Sequence, residues 1–224
     1  MEEQSIWYFE DAKVDGLFCP QKATAQKDTH IRRQYKKGEY VYMPNEHADK
    51  IFFIASGKIK IGAYSEEGKE ITKAILNAGE VFGELALIGE EKRRDFAVTM
   101  EKTEICLLSI QEMKGLMKEH SGLEYFMMKI IGSRLLKMEK RLESLVFKDS
   151  RTRIIDFLKD LAAEKGVKVG YETLVRGFFT HQEIANLTAT SRQTVTTVLN
   201  DLRKQNIIYF NRRKLLIRDL AKLV

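Results

Sequence analysis

Residues 179–208 read FTHQEIANLTATSRQTVTTVLNDLRKQNII, and this stretch decides the character of the C-terminal third of the chain. Thr180 is a good helix N-cap. Glu183, three residues on, completes a capping box in which each residue satisfies the other's orphan backbone N–H. Ile184 and Leu187 give that helix a core face. A second cap follows at Thr190 or Ser191. Val195, Val198, Leu199 and Leu202 then recur at the three- and four-residue spacing of a buried helical stripe. Two helices joined by so short a turn predict a helix-turn-helix, with its second helix at about 191–203.

The side of that second helix left outside the stripe carries Arg192, Gln193, Thr196 and Thr197 near its N-terminus. These residue types match base edges. Arginine can donate twice to guanine O6 and N7, glutamine can pair with adenine N6 and N7, and threonine can touch a thymine methyl or a phosphate. Thr180, His181, Gln182 and Ser191 stand at the helix starts, where donors suit backbone phosphates. Downstream, IIYF–NRR–KLLI reads as a hairpin whose turn adds Arg212, Arg213 and Lys214 as further phosphate partners. Upstream lie a helical pattern (Ile154, Ile155, Phe157, Leu158, Leu161) and the strand-like TLVRGFF of 173–179. Helix, strand, helix-turn-helix and hairpin in that order make a winged helix over 149–224, with double-stranded DNA as the expected partner.

Charge agrees. From Lys148 to Val224 there are 15 Lys+Arg against 8 Asp+Glu, a balance of +7, which leaves 23 against 24, or −1, for residues 1–147. The whole positive excess sits where the anionic partner is expected.

Working toward the N-terminus, residues 121–148 form one long helical segment, roughly 40 Å from end to end. Met128, Ile131, Leu135, Met138, Leu142 and Leu145 alternate three and four apart, the seam of a parallel two-stranded coiled coil and so of a homodimer. A second stripe, Leu123, Phe126, Met127 and Ile130, faces elsewhere, toward the β part. Before it, from Arg32 to Ile110, come short apolar runs: VYM, IFFIA, KIKIGAY, ITKAIL, EVFGELALI, FAVTM and EICLLSI, punctuated by Gly38, Gly57, Gly68, Gly79 and Gly89. Strands of that length and spacing predict an antiparallel barrel or roll. The first thirty-odd residues read as a short helix and loops around Ile6, Trp7, Phe9, Val14 and Leu17. The expected architecture is α+β: a β-roll domain over 1–120, a dimerisation helix over 121–148 and the winged helix over 149–224.

QEIANLTATSRQTVTTVLNDLRKQNII resembles the helix-turn-helix of the cyclic-AMP receptor/FNR (CRP/FNR) family of bacterial transcription regulators. The resemblance runs through most of the chain. GEVFGELALIG followed by RRDFAV is similar to that family's phosphate-binding cassette, IFFIASGKIKI to its β-roll, and FKDSRTRI to its hinge. It implies a homodimer on a palindromic DNA site, RNA polymerase as a protein partner, and a small-molecule effector pocket in the roll. Members usually place glycine where Ala189 stands, a position expected to have φ > 0; alanine there costs on the order of 1 kcal/mol.

By the same resemblance, the pocket would use Gly83, Glu84 and Leu85, with Arg94 for a cyclic phosphate. Cyclic AMP is thus one candidate effector. Three positions depart from the pattern. Asp95 stands where a serine would donate to phosphate, and a carboxylate cannot donate. Met138 and Glu139 stand where a Thr-Ser pair would meet adenine. Glu84 and Arg94 pairing with each other in an empty pocket is the alternative, and the effector stays open.

Other chemistries find little support. No G-x-S-x-G elbow, P-loop lysine or H-E-x-x-H helix is present, so no enzyme is indicated. A cyclic-nucleotide-binding module acting through protein contacts is the competing reading. Cys19 and Cys106 are too few for a disulfide framework or iron–sulfur cluster, and His30, His47 and His120 lack ligand spacing, so no metal site is expected. The acidic start MEEQSIWYFEDAK is unlike a secretory leader, and no apolar run reaches the roughly 18 residues of a membrane span. A cytoplasmic location is expected.

Overall fold

The structure, a computed structural model, describes residues 31–211 and 214–223. The N-terminal helix expected around Ile6 to Leu17, and Cys19, lie outside them. Two compact units divide at Arg134/Leu135.

The first unit is the β-roll. One sheet runs β1 (Ile31–Tyr35), β8 (Thr103–Ser109), β3 (Lys50–Ser56), β6 (Val81–Phe82). The other runs β2 (Tyr40–Tyr42), β7 (Phe96–Thr99), β4 (Lys58–Tyr64), β5 (Glu70–Asn77), and every pairing is antiparallel. Strand periodicity explains why β3 and β8 are apolar without a break. Side chains alternate faces, so Phe52, Ile54, Ile105 and Leu107 fill the roll interior with Tyr42, Ile59 and Leu76. Ile51, Phe53, Cys106 and Leu108 point the other way. There they are covered by Met113 of α1 (Ile110–Glu119) and by Leu123, Phe126, Met127 and Ile130 of α2 (Ser121–Phe147). The second stripe of the long helix does pack on the roll, and each fully buried Leu or Ile of this kind stabilises by about 1.5–3 kcal/mol.

Three features differ from the sequence expectation. EVFGELALI is not one strand: only Val81–Phe82 pair, and Glu84–Ile88 coil into a 3-10 turn between Gly83 and Gly89, both left-handed. β1 was not expected, because Arg32, Arg33 and Gln34 are exposed on an edge strand that shows no apolar alternation. Nor was α1, although its signal is present: Ser109 and Glu112 form a capping box.

The second unit holds the C-terminal part of α2, then α3 (Ser150–Lys165), α4 (His181–Thr188) and α5 (Arg192–Lys204), with a sheet ordered β11 (Ile208–Phe210), β12 (Lys214–Ile217), β10 (Glu172–Arg176), β9 (Gly166–Val169). Ile154, Ile155, Leu158 and Leu161 of α3 meet Ile184 of α4, Val195, Leu199 and Leu202 of α5, and Val175, Leu215 and Ile217 of the sheet in one core. In this unit β9 is a further strand outside the sequence expectation; its Val167, Lys168 and Val169 are all exposed.

Along α2, Met128, Leu135, Met138, Leu142 and Leu145 are exposed, and Ile131 is half-buried. An apolar row of this length in water calls for a cover. Among the described residues no helix is long and apolar enough to cross a membrane.

Candidate nucleic-acid interface and effector cassette

Local chemistry builds the helix-turn-helix as its caps predict. The Thr180 hydroxyl accepts from the Glu183 N–H at 3.2 Å, and the Glu183 carboxylate accepts from the Thr180 N–H at 2.7 Å. α4 ends at Ala189 with φ 50° and ψ 50°, the left-handed conformation expected of it. Ser191 caps α5, its hydroxyl accepting from the Thr194 N–H at 3.0 Å. With Val195, Val198, Leu199 and Leu202 all buried, Arg192, Gln193 and Thr197 are left exposed on the first turns.

Thr196 differs from its neighbours. It is half-buried, its hydroxyl donates to the Arg192 carbonyl at 2.9 Å, and it lies 2.8 Å from His181 Nδ1. The imidazole in turn packs against the Phe210 ring, centroids 5.7 Å apart. Burial first and the Arg192 guanidinium second hold its pKa below the usual histidine range. Of the other residues expected at phosphates, Gln182 is exposed with its amide donating to Asn186 Oδ1 at 2.9 Å. Lys214 is exposed at the start of β12, while Arg212 and Arg213 lie outside the described residues.

Two cations that the sequence does not point to hold the C-terminal end of α4. The carbonyls at an α-helix C-terminus lack partners and carry negative partial charge. Arg141 of α2 donates to the Asn186 carbonyl at 3.1 Å, and Arg153 of α3 to the Thr188 and Ala189 carbonyls at 3.0 and 3.1 Å. Separations of 35 to 45 residues leave no local motif to find them by.

In the roll, the cassette residues divide. A Cβ on Gly83 would stand 3.0 to 3.1 Å from the Phe52 ring, the Arg93 guanidinium and the Lys50 carbonyl, so the tight left-handed turn favours glycine. Glu84 is only 6% exposed. The alternative pairing with Arg94 is not what forms. Its carboxylate receives Arg134 of α2, whose guanidinium also donates to the Val81 carbonyl. The Arg94 side chain is 84% exposed, 3.9 Å from Glu90, on an open depression lined by Asn45 and residues 89–94. It is Arg93 that turns inward, donating to the Gly83 and Lys50 carbonyls and stacking on Tyr42 and Phe52.

Asp95 accepts from the Tyr42 hydroxyl at 3.2 Å and from Lys73 at 3.1 Å. Burial, then the Asp95 charge, pushes the Tyr42 pKa far above the ordinary phenol value. Leu85 is exposed, as are Met138 and Glu139 in the second unit.

Comparison with known proteins follows the same division. Residues 32–120 match the cyclic nucleotide-binding domain and residues 152–224 the Crp-like helix-turn-helix domain. The global nitrogen regulator of Synechocystis sp. is 29% identical over 83% of each chain. The cyclic AMP receptor protein of Thermus thermophilus is 28% identical over 86% of each. A solved structure of a CooA mutant from Carboxydothermus hydrogenoformans superposes with a TM-score of 0.77 at 32% identity, covering 87% of this chain and 86% of that one. With a cyclic nucleotide-binding-type roll, a Crp-like DNA-binding domain and relatives along most of its length, the chain belongs to the CRP/FNR family of transcription regulators.

Proposed function

We propose that this regulator acts as a homodimer on a two-fold-symmetric DNA site, with sensor, dimerisation and DNA-binding segments at about 1–120, 121–148 and 149–224. The observation that carries the reading is the split of α5: four apolar residues buried in the core and Arg192, Gln193 and Thr197 exposed on its first turns. Arg192 and Gln193 read bases, Thr197 makes the adjoining contact, and Thr196 contributes its methyl, since its hydroxyl is engaged within the domain. Thr180, His181, Gln182, Ser191, Arg212, Arg213 and Lys214 hold phosphates. A second copy covers the exposed row from Met128 to Leu145, so half-sites lie about one helical turn apart. RNA polymerase is the protein partner such a regulator works with, and the cytoplasm its compartment.

Toward an effector, the cassette offers Glu84 already paired with Arg134, and Asp95 as an acceptor held by Tyr42 and Lys73. A cyclic phosphate would meet a carboxylate where a donor is needed. We therefore read cyclic AMP as a poor fit, although the Thermus relative is named for it.

The test is selection of random duplex DNA on the purified protein, with and without cyclic AMP. A palindrome enriched equally in both is expected. Enrichment only with the nucleotide would overturn the effector reading, and no enrichment in either would overturn the sequence-specific one.

A further inference from the structure

His181 and Thr196 join the start of α4 to the first turns of α5 by a chain of hydrogen bonds. A threonine hydroxyl has one proton. With that proton on the Arg192 carbonyl, the Thr196 oxygen can only accept from the imidazole. Nδ1 then carries a hydrogen, and Nε2 on the other side of the neutral ring is a bare lone pair. A lone pair repels a phosphate oxygen; an N–H attracts one.

We propose that His181 makes DNA binding by this protein proton-linked: the free protein keeps the ring neutral, with Nδ1–H donated to Thr196, and a backbone phosphate is gripped through Nε2 only once the ring has taken up a proton. The inference rests on the placing of His181 beside phosphate in the reading above. The groups facing the ring fit this role. From α5 come Arg192 and the neutral Thr196. From β11 comes the Phe210 ring, which has Arg203 against it. On its own helix the nearest carboxylate, Glu183, is occupied by Thr180. Among the described residues, the charges facing the imidazole are thus cationic and oppose its protonation in the free protein. A phosphate brought to the same place reverses that sign.

Linkage then fixes the direction. A group whose pKa is higher in the complex than in the free protein takes up a proton on binding, so affinity rises as pH falls between the two values. One proton gives at most about tenfold in affinity per pH unit. The Nδ1–H bond to Thr196 survives protonation, so the recognition helix keeps its arrangement throughout.

The experiment measures binding of the full chain to a duplex of about 30 base pairs of arbitrary sequence at low salt, from pH ~8 to ~5.5, by fluorescence anisotropy. Arbitrary sequence suffices because a phosphate contact does not depend on bases. The wild type is expected to tighten several-fold as pH falls. His181→Gln does not titrate and should show a flat profile; a thermal melt checks that it is folded. The other histidines are common to both proteins and cancel in the comparison. Nitrogen-15 NMR of the free protein should show the Nδ1–H tautomer at His181. A slope that persists in His181→Gln, a flat wild-type profile, or an Nε2–H tautomer would each overturn the proposal while leaving the DNA-binding reading intact. Absence of binding to any duplex at every pH would overturn both.

Discussion

Arg134 donates at once to the buried Glu84 carboxylate and to the Val81 carbonyl, clasping the long helix to the short turn that forms the cassette. Fifty residues separate the two partners, so the pair closes a large loop within the roll unit. Buried charges need partners: taking one away leaves the other desolvated without compensation.

Replacing Arg134 by alanine should therefore cost about 3 kcal/mol of roll stability, and Glu84→Gln less, because the amide still accepts from the guanidinium. Denaturant unfolding followed through the roll aromatics measures it. Equal, negligible losses in both variants would show that the pair does not form in solution.

At the DNA face, Arg192→Ala should lose about 1–3 kcal/mol of affinity at one base position and relax specificity there. Arg213→Ala should weaken all sequences alike and lower the salt slope by about one. Binding of a selected palindrome and of its point variants over a salt series separates the two, and identical behaviour would argue against the base-reading assignment.

Leu142 is 63% exposed on α2, and removing its methyl groups from solvent is what a partner helix would do. Leu142→Asp should weaken self-association on the order of a hundredfold while leaving the melting of the single chain nearly unchanged. Sedimentation velocity across a dilution series reads the outcome; an unaltered oligomer would place the dimer elsewhere.

Ala189 holds φ 50° at the end of α4. Glycine adopts that conformation without the Cβ penalty, so Ala189→Gly should stabilise the second unit by about 0.5–1 kcal/mol, net of the freedom glycine adds to the unfolded chain. A calorimetric scan should show a small rise in Tm, and a fall would mean the alanine carries packing that outweighs its strain.

Acid should loosen the start of α3. The Asp149 carboxylate caps that helix by accepting from the Thr152 N–H at 2.7 Å, which holds its pKa below the usual carboxylate range. Its folded value being depressed, the contribution is present above the unfolded value of about 4 and lost as pH falls through the folded one. Asp149→Asn keeps a capping oxygen without a titrating charge. Melting curves of the two proteins should differ in their pH dependence only in the acid range; the same acid sensitivity in the variant would assign it to another group.

The sequence by itself determined the parts and their order. Capping boxes, helical stripes and alternating strand residues are local, so Thr180 with Glu183, the core face of α5 and the two stripes of α2 could be read from neighbours three or four positions apart. The left-handed Ala189 could be anticipated only through the resemblance, because the family usually carries glycine at that position. Tertiary structure alone decided which charges meet. The partner of Glu84 is Arg134 rather than Arg94, Arg93 rather than Arg94 turns inward, and Arg141 and Arg153 close the carbonyls at the end of α4. His181 and Thr196, too, come together only across the turn. Long flexible side chains can reach several partners, and the choice among them is made by burial and backbone approach, which no sequence spacing encodes.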